Sequence, residues 1–464
     1  MSTHQAAASS ATNRKDKHPP GLYVLFFTEM WERFSYYGMR AMLVLYLTTA
    51  LISGGLGFSE STALTVYGIF TGACYFTPLL GGYLSDKYLG RRLAVTIGGI
   101  SIAIGNFALF MDQTTTMLYI GLAFIIIGNG FFKPNVSTLV GDLYPKGDRR
   151  VDSAYTIFYM GINVGSLFAP LVCGYLAEQL FKIPMADTIL YGYKYAFLAS
   201  GIGMVIGQII FNTLAPKYLG DIGNAPVRSK IDQKTAAVKT PLTPLEKQRT
   251  KVILIITCFV IFFWAGFEQA GGLLTLYTNQ FVDKTLFGFE IPTSWFQSIN
   301  PLFIIILAPI VSALWLKLAR SKRGDLSFGV KMGLGMVLLG VGYMVLLVAV
   351  MQTGSDPNSV ISQAHIMFIV GTYFFHTLGE LFLSPVGLSI VNKISPVKLT
   401  SLLMGVWLSS TGIANILGSQ FASNITTLGY FNVFAIIGAA AIVLGLVLML
   451  LSKKLSSMAQ VSEL

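Results

Sequence analysis

The sequence has few charged residues, few histidines and few cysteines, and each shortage excludes a class of protein. Charged side chains make up 11% of the 464 residues and apolar side chains 54%, whereas a soluble domain carries about 25% charged residues. The three cysteines lie inside apolar runs, so we expect neither a disulfide framework nor a thiolate metal site. The four histidines lack metal-ligand spacing, and we expect no enzyme, metal or cofactor.

The sequence consists largely of long apolar runs. A run of about 20 residues has the length of a membrane-spanning helix, and runs this long and uniform do not fit the short alternating strands of a membrane barrel. The sequence therefore predicts an all-α membrane protein with twelve transmembrane helices. The predicted spans lie near 21–51, 60–84, 93–111, 116–141, 153–177, 189–214, 252–280, 293–316, 328–351, 364–391, 398–420 and 429–452.

The basic residues fall in alternate loops. If residue 1 is cytoplasmic, most of the 32 lysines and arginines lie in cytoplasmic segments, and Lys182 and Lys284 lie outside. Cytoplasmic loops retain Lys and Arg, so both termini are predicted to be cytoplasmic. No removable signal peptide is recognised ahead of the first span. The compact outer loops favour a bacterial inner (plasma) membrane. The lipid bilayer is an expected partner, and nucleic acid is not.

A polar stretch rich in Lys, Pro and Thr divides the apolar runs into six and six. It predicts a linker between two six-helix bundles, an arrangement common in secondary transporters, whose substrate site lies at the midplane between the halves. A single twelve-helix bundle with an ordinary loop is the alternative. The predicted divisions are a cytoplasmic tail 1–20, a first bundle 21–214, a cytoplasmic linker 215–250, a second bundle 251–452 and a cytoplasmic tail 453–464.

A few ionisable residues lie inside the apolar spans, where each costs about 2.5–3.5 kcal/mol unless it is paired or faces water. They are Glu29, Glu32, Arg33, Arg40, Lys133, Lys194, Glu268 and Glu380. On the first span Glu29, Arg33 and Arg40 share one helical stripe, with Glu32 beside it. Glu29 and Arg33 could also be an ion pair that merely neutralises the helix. The accumulation of charge favours instead a shared polar cavity.

Several strings resemble the proton-coupled oligopeptide transporters, a branch of the major facilitator superfamily. They are Glu29-Met30-Trp31-Glu32-Arg33-Phe34-Ser35-Tyr36-Tyr37-Gly38, Phe131-Phe132-Lys133-Pro134-Asn135-Val136, Phe158-Tyr159-Met160-Gly161-Ile162-Asn163-Val164-Gly165-Ser166 and Phe267-Glu268-Gln269, while Gly81 to Arg92 resembles the loop motif of the whole superfamily. The resemblance implies the major facilitator fold and a symporter that imports di- and tripeptides with protons by alternating access. One departure is that bacterial members commonly carry two additional helices between the bundles, which residues 215–250 are too short and too polar to form.

The residues suggest roles that the resemblance also implies. A carboxyl group near a cation can bind a proton when substrate takes the cation away, and the residues assigned to proton coupling are Glu29, Glu32, Arg33 and Glu268. A peptide has a carboxylate and an ammonium, which suit bases on one bundle and an acid on the other. The residues assigned to peptide binding are Arg33, Tyr37, Arg40, Tyr75, Lys133, Asn163, Asn300, Glu380, Ser384 and Trp407, of which Tyr37, Tyr75, Asn163 and Asn300 rest on the resemblance.

Other functions remain as alternatives. A proton-coupled carrier of another small anion, such as nitrate, could use the same bases, although Glu380 favours a substrate with an amine. Export of apolar cations fits less well, because three bases in the cavity would repel them. A channel would fit the composition but would not concentrate its solute. For Glu268, a purely structural ion pair with a base on another span is the alternative to proton coupling.

Overall fold

The computed structural model describes residues 17–145, 147–226, 241–321, 324–354 and 360–460. Parts of the predicted tails and of the predicted linker lie outside the described residues. Most described residues are helical. The backbone amides and carbonyls of a membrane span have no water to bind, so each span satisfies them within its own helix.

Thirteen α-helices are present in the described residues. They are α1 (Gly21–Thr48), α2 (Glu60–Leu84), α3 (Arg91–Met111), α4 (Thr115–Asp142), α5 (Val151–Tyr175), α6 (Tyr193–Tyr218), α7 (Pro244–Phe267), α8 (Leu273–Phe281), α9 (Ile299–Ala319), α10 (Phe328–Thr353), α11 (Met367–Ile394), α12 (Thr400–Ala422) and α13 (Ile425–Ala459). Single π-helical turns extend α2 through Ser85–Leu89 and α5 through Leu176–Leu180, and short 3₁₀ segments occupy Leu51–Ser53, Glu268–Gly271 and Thr293–Ser298.

Short strands lie in the connecting segments at one face of the molecule. They are β1 (Ile183–Pro184), β2 (Ile189–Leu190), β3 (Val282–Asp283), β4 (Thr285–Leu286), β5 (Phe289–Glu290) and β6 (Ala364–His365). β1 pairs antiparallel with β2, β4 antiparallel with β5, and β3 parallel with β6. The last pair ties the end of α8 to the connection before α11.

The prediction of a helical membrane protein is confirmed. Eleven helical segments of the described chain are long and apolar enough to cross a bilayer, with α7 and α8 joined as one segment, Pro244–Phe281. The remaining helix, α1, is 28 residues long and contains the four charged residues Glu29, Glu32, Arg33 and Arg40. Their burial within the protein explains how so polar a helix fits among the apolar ones.

The helices form two bundles. In the first, α1 packs on α5 and α6, and α3 packs on α4; in the second, α10 packs on α11 and α13. The two are joined by α2 with α12, and by α5 with the segment Thr293–Ser298. Contacts such as Arg150 with the carbonyl of Lys17, and Arg249 with that of Ala459, hold the two ends of the described chain at one face. We call this the terminal face and the opposite one, which bears the short strands, the distal face.

The loop motif after α2 takes part in two ion pairs at the terminal face. Arg91 forms an ion pair with Asp86, with 3.2 Å between Nε and Oδ1, and a second one with Asp142 at the end of α4. The Arg91 guanidinium therefore connects the α2–α3 loop to a third helix. These groups are partly exposed, so we assign the motif to packing of the first bundle and not to the substrate site.

Candidate functional site

A cavity of about 270 Å³, lined by both polar and apolar residues, lies between the two bundles. Most of its polar lining comes from residues that the sequence singled out. The lining comprises Tyr37, Arg40, Tyr75, Tyr159, Ile162, Asn163, Ser166, Pro170, Trp264, Phe267, Glu268, Ala270, Gln297, Asn300, Pro301, Ile304, Tyr373, His376, Glu380 and Ser384. Both bundles contribute, so any movement of one against the other changes the shape of this cavity.

Arg40 and Glu268 form a buried ion pair across the boundary between the bundles. Nη2 of Arg40 lies 2.7 Å from Oε2 of Glu268, and its Nε donates a hydrogen bond of 2.7 Å to the hydroxyl of Tyr67. Arg40 is 9% exposed and Glu268 6%. Removing one member of such a pair leaves the other charge buried without a partner, at a cost of about 3–5 kcal/mol. The pair therefore couples the charge of this carboxylate to the contact between the bundles.

Glu268 lies where its span changes from one helix to another. α7 ends at Phe267, a 3₁₀ segment covers Glu268–Gly271, and Gly272 has φ −113° and ψ −98°, outside the helical region, before α8 begins. Interrupted helices of this kind place binding groups at the midplane of many transporters. The break thus presents the Glu268 carboxylate to the cavity and to α1.

Glu29, Glu32 and Arg33 form a second buried ionic cluster on α1. Arg33 donates two hydrogen bonds to the carboxylate of Glu32, the one from Nη2 measuring 2.8 Å, and its Nε lies 3.2 Å from Oε1 of Glu29. All three residues are less than 5% exposed. Oε2 of Glu29 has no hydrogen-bond partner within the described chain. A buried carboxylate oxygen without a donor is a position at which a proton would stabilise the site.

Glu380 of α11 is held by Asn300 of α9. Nδ2 of Asn300 lies 3.0 Å from Oε2 of Glu380 and 3.0 Å from Oγ1 of Thr377. Both Asn300 and Glu380 line the cavity. One amide thus orients the carboxylate of the second bundle toward the space that faces Arg40.

The other predicted site residues surround this centre at different distances. Tyr37, Tyr75, Asn163 and Ser384 line the cavity. The ammonium of Lys133 lies 4.6 Å from the centre of the Tyr75 ring, and that places a cation directly behind the lining. The amide of Asn163 donates to the carbonyl of Tyr159 on its own helix.

Some predicted site residues are not part of the lining. The guanidinium carbon of Arg33 lies 6.0 Å from the ring of Tyr37, which lines the cavity, and 5.3 Å from the ring of Tyr36, which does not. Its nitrogens face Glu29 and Glu32. Trp407 is buried in an apolar core cluster, where its ring packs against Gly387 of α11. The position of Trp407 on α12 therefore does not bring it into contact with the cavity.

Several lining residues were missed by the sequence analysis. Trp264 precedes Glu268 by four residues, Tyr159 precedes Asn163 by four, and His376 precedes Glu380 by four, so each shares a helical face with a predicted residue. This spacing could have identified them. Gln297 could not be found in this way, because it lies in the 3₁₀ segment before α9. No cluster of three or more His, Cys, Asp or Glu suited to a metal ion is found in the described part of the chain.

Comparison with known families gives one match. The profile of the POT family matches residues 92–219 and 240–437, which is more than half of the chain. An uncharacterized transporter of Bacillus subtilis is 34% identical over 94% of both chains. The peptide transporter YePEPT of Yersinia enterocolitica is 32% identical over 86% of both. A di-/tripeptide transporter of Lactococcus lactis is 30% identical over 94% of this chain and 95% of its own.

Solved structures show the same similarity in three dimensions. A structure of a peptide transporter, called POT, in complex with alafosfalin superimposes with a TM-score of 0.85, at 32% identity over 95% of this chain and 96% of that one. A POT family transporter in complex with 5-aminolevulinic acid also gives 0.85, at 30% identity over 95% and 97%. The prediction of the major facilitator architecture is confirmed by these matches.

Proposed function

The chain belongs to the POT family of membrane transporters and is not an enzyme, and from that premise we propose that it is a proton-coupled symporter that imports di- and tripeptides by alternating access. The relatives named for peptide or di-/tripeptide transport support this substrate class. The nitrate alternative is not favoured, because a carboxylate at position 380 would repel a small anion in the same cavity.

The observation that carries the proposal is the amphoteric cavity between the bundles. A basic group, Arg40, lies on the first bundle, and two acids, Glu268 and Glu380, lie on the second. A short peptide has one charge of each sign separated by a few ångströms. In our proposal Arg40 and Lys133 attract the peptide carboxylate, and Glu380, oriented by Asn300, accepts hydrogen bonds from the peptide ammonium.

Proton coupling follows from competition for the two arginines. In the described structure Arg33 is occupied by Glu29 and Glu32, and Arg40 by Glu268. A substrate carboxylate that binds either guanidinium weakens its ion pair, and the released glutamate, buried without a counter-charge, then binds a proton. The exchange links peptide binding to proton uptake without any cofactor. Glu29, Glu32, Arg33 and Glu268 are therefore the proposed coupling residues.

Tyr37, Tyr75, Asn163 and Ser384 complete the proposed peptide site, since their polar groups line the same cavity. Asn163 and Ser384 lie on opposite bundles and can donate to or accept from the peptide backbone. Trp407 stays a prediction that its buried position does not support.

The orientation in the membrane is part of the proposal. The loop lysines and arginines favour a cytoplasmic terminal face, in a bacterial plasma membrane. The distal face then lies outside the cell. The divisions 21–214 and 251–452 remain the proposed moving units, joined by the segment 215–250.

Uptake by purified protein tests the proposal. Proteoliposomes with an inward proton gradient should accumulate a labelled dipeptide above its external concentration, and a protonophore should abolish the accumulation. An excess of unlabelled tripeptide should compete, whereas an equal excess of nitrate or of a free amino acid should not. No gradient-dependent peptide uptake by monodisperse protein would exclude this function.

A further inference from the structure

The end of α5 carries a buried carboxylate that the proposed substrate site does not use. Glu178 lies in the π-helical turn Leu176–Leu180 at the distal face and is 7% exposed. It does not line the central cavity, and sequence patterning did not single it out. A carboxylate this deeply buried requires compensating partners.

All the hydrogen-bond partners found for Glu178 belong to the other bundle. Its Oε2 accepts a hydrogen bond of 2.7 Å from the backbone amide of Thr293. Its Oε1 accepts from the amide of Ser294 at 3.3 Å and from the hydroxyl of Ser294 at 3.0 Å. These residues begin the continuous helical segment Thr293–Ala319. The first amides of a helix lack partners within it and carry partial positive charge, so the carboxylate of one bundle caps a helix of the other.

Neighbouring bonds fix the same helix start to α5. The indole nitrogen of Trp295 donates to the carbonyl of Leu171 at 2.9 Å, and the hydroxyl of Ser298 donates to that of Leu167 at 2.7 Å. A nearby ion pair, Lys182 with Glu290, measures 2.7 Å, but the Glu290 side chain is 51% exposed. Water screens that pair, and it contributes little. The bonds to Glu178 are buried and charge-assisted, hence stronger.

The capped segment leads directly to the substrate site. Asn300, which orients Glu380, follows Ser294 by less than two helical turns. A separation of the bundles at the distal face would pull the Glu178 carboxylate away from all three donors at once, leaving it to be solvated by entering water. The free energy of this one contact therefore contributes to the equilibrium between the forms in which the distal side is closed and open.

We propose that Glu178 is a positioning residue of the transport cycle, whose carboxylate holds the start of the helix Thr293–Ala319 and thereby keeps the distal side closed until the bundles rock apart. The proposal rests on alternating access, but its test requires no peptide. We call Glu178 with Thr293 and Ser294 the distal latch.

The test measures the distance between the bundles at the distal face. Spin labels would be attached to cysteines introduced at Ile52 and Ile361, exposed distal positions on the first and second bundle, in full-length protein whose three native cysteines are replaced. Glu178→Gln keeps the size of the side chain but replaces one accepting oxygen by an NH₂ group that faces a donor. We expect the ratio of short to long distances to fall about tenfold, as the loss of a charge-assisted bond implies.

Glu290→Gln is the matched control, because it makes the same chemical change in the exposed distal pair and should leave the distance distribution unchanged. Ser294→Ala removes one donor from the opposite side of the latch and should give a smaller shift in the same direction. Should Glu178→Gln fail to fold, Ser294→Ala alone decides: a shift toward longer distances supports the latch, and an unchanged distribution overturns it. Unchanged distributions in Ser294→Ala and in folded Glu178→Gln would overturn it. Neither outcome depends on which solute is transported, so failure of peptide uptake is a separate result.

Discussion

Single side chains determine which carboxylate can exchange a proton. Arg40 binds Glu268 across the bundles, whereas Arg33 binds Glu29 and Glu32 within one helix. The sequence identified these residues, since charges at hydrocarbon depth are rare and costly. It could not assign Arg40 to Glu268, because they are 228 positions apart and the order of spans does not reveal which helices face each other. It also missed Glu178, which lies just past a predicted span.

Replacement of Glu268 by Gln tests its role in coupling. The amide cannot bind a proton at neutral pH, so uphill peptide uptake should be abolished, whereas exchange of peptide for peptide, which needs no net proton movement, should persist. Both are measurable in proteoliposomes with labelled dipeptide. Concentrative uptake equal to that of the parent protein would mean that Glu268 serves a structural ion pair alone.

Replacement of Glu380 by Gln tests recognition of the peptide ammonium. The change removes a charge-assisted hydrogen bond of about 1.5–3 kcal/mol, so dipeptide affinity should fall by about ten- to a hundredfold. A dipeptide with a blocked amino group lacks this bond, and its weak affinity should not change further. Equilibrium binding to purified protein checks both values, and an equal loss for the free and the blocked dipeptide would contradict the assignment.

The positions of the helices were the most predictable level of the structure. Each predicted span overlaps an observed helix, because the length of an apolar run is set by the bilayer. The break between α7 and α8 was not predicted, since the run stays apolar through it and the two glycines, Gly271 and Gly272, are no strong signal among 47. The spacing Gly161-x-x-x-Gly165, which is typical of close helix packing, lies where α5 meets α1.

Substitution of Gly165 by Ala tests how tightly α1 is held. A Cβ at this position would overlap the carbonyl oxygen of Met30 and lie 3.0 Å from Cβ of Arg33. Both obstacles belong to α1 at its ionic cluster, and we expect a destabilisation of about 1–3 kcal/mol, seen as a lower unfolding temperature in detergent. Gly371→Ala is the control, because there the added carbon meets one side-chain atom at 3.7 Å. Equal stability of the two variants would contradict the packing argument.

At the scale of the whole molecule, the structure joins two bundles through a polar cavity and a set of distal contacts. Composition and the resemblance of a few strings were sufficient to predict this architecture, and the match to solved relatives confirms it. The cavity itself could not be derived from sequence, because it depends on how two bundles meet. What the sequence contributed was the expectation that its charges converge, and Arg40, Glu268 and Glu380 do line one space.

The central claim is that peptide and proton move together through this space. Proteoliposomes that contain an entrapped pH indicator, with no imposed pH gradient and an inside-negative potential, measure it most directly. Addition of a dipeptide outside should acidify the interior, and the same addition to Glu268→Gln vesicles should not. Peptide entry without acidification in the parent protein would contradict the account.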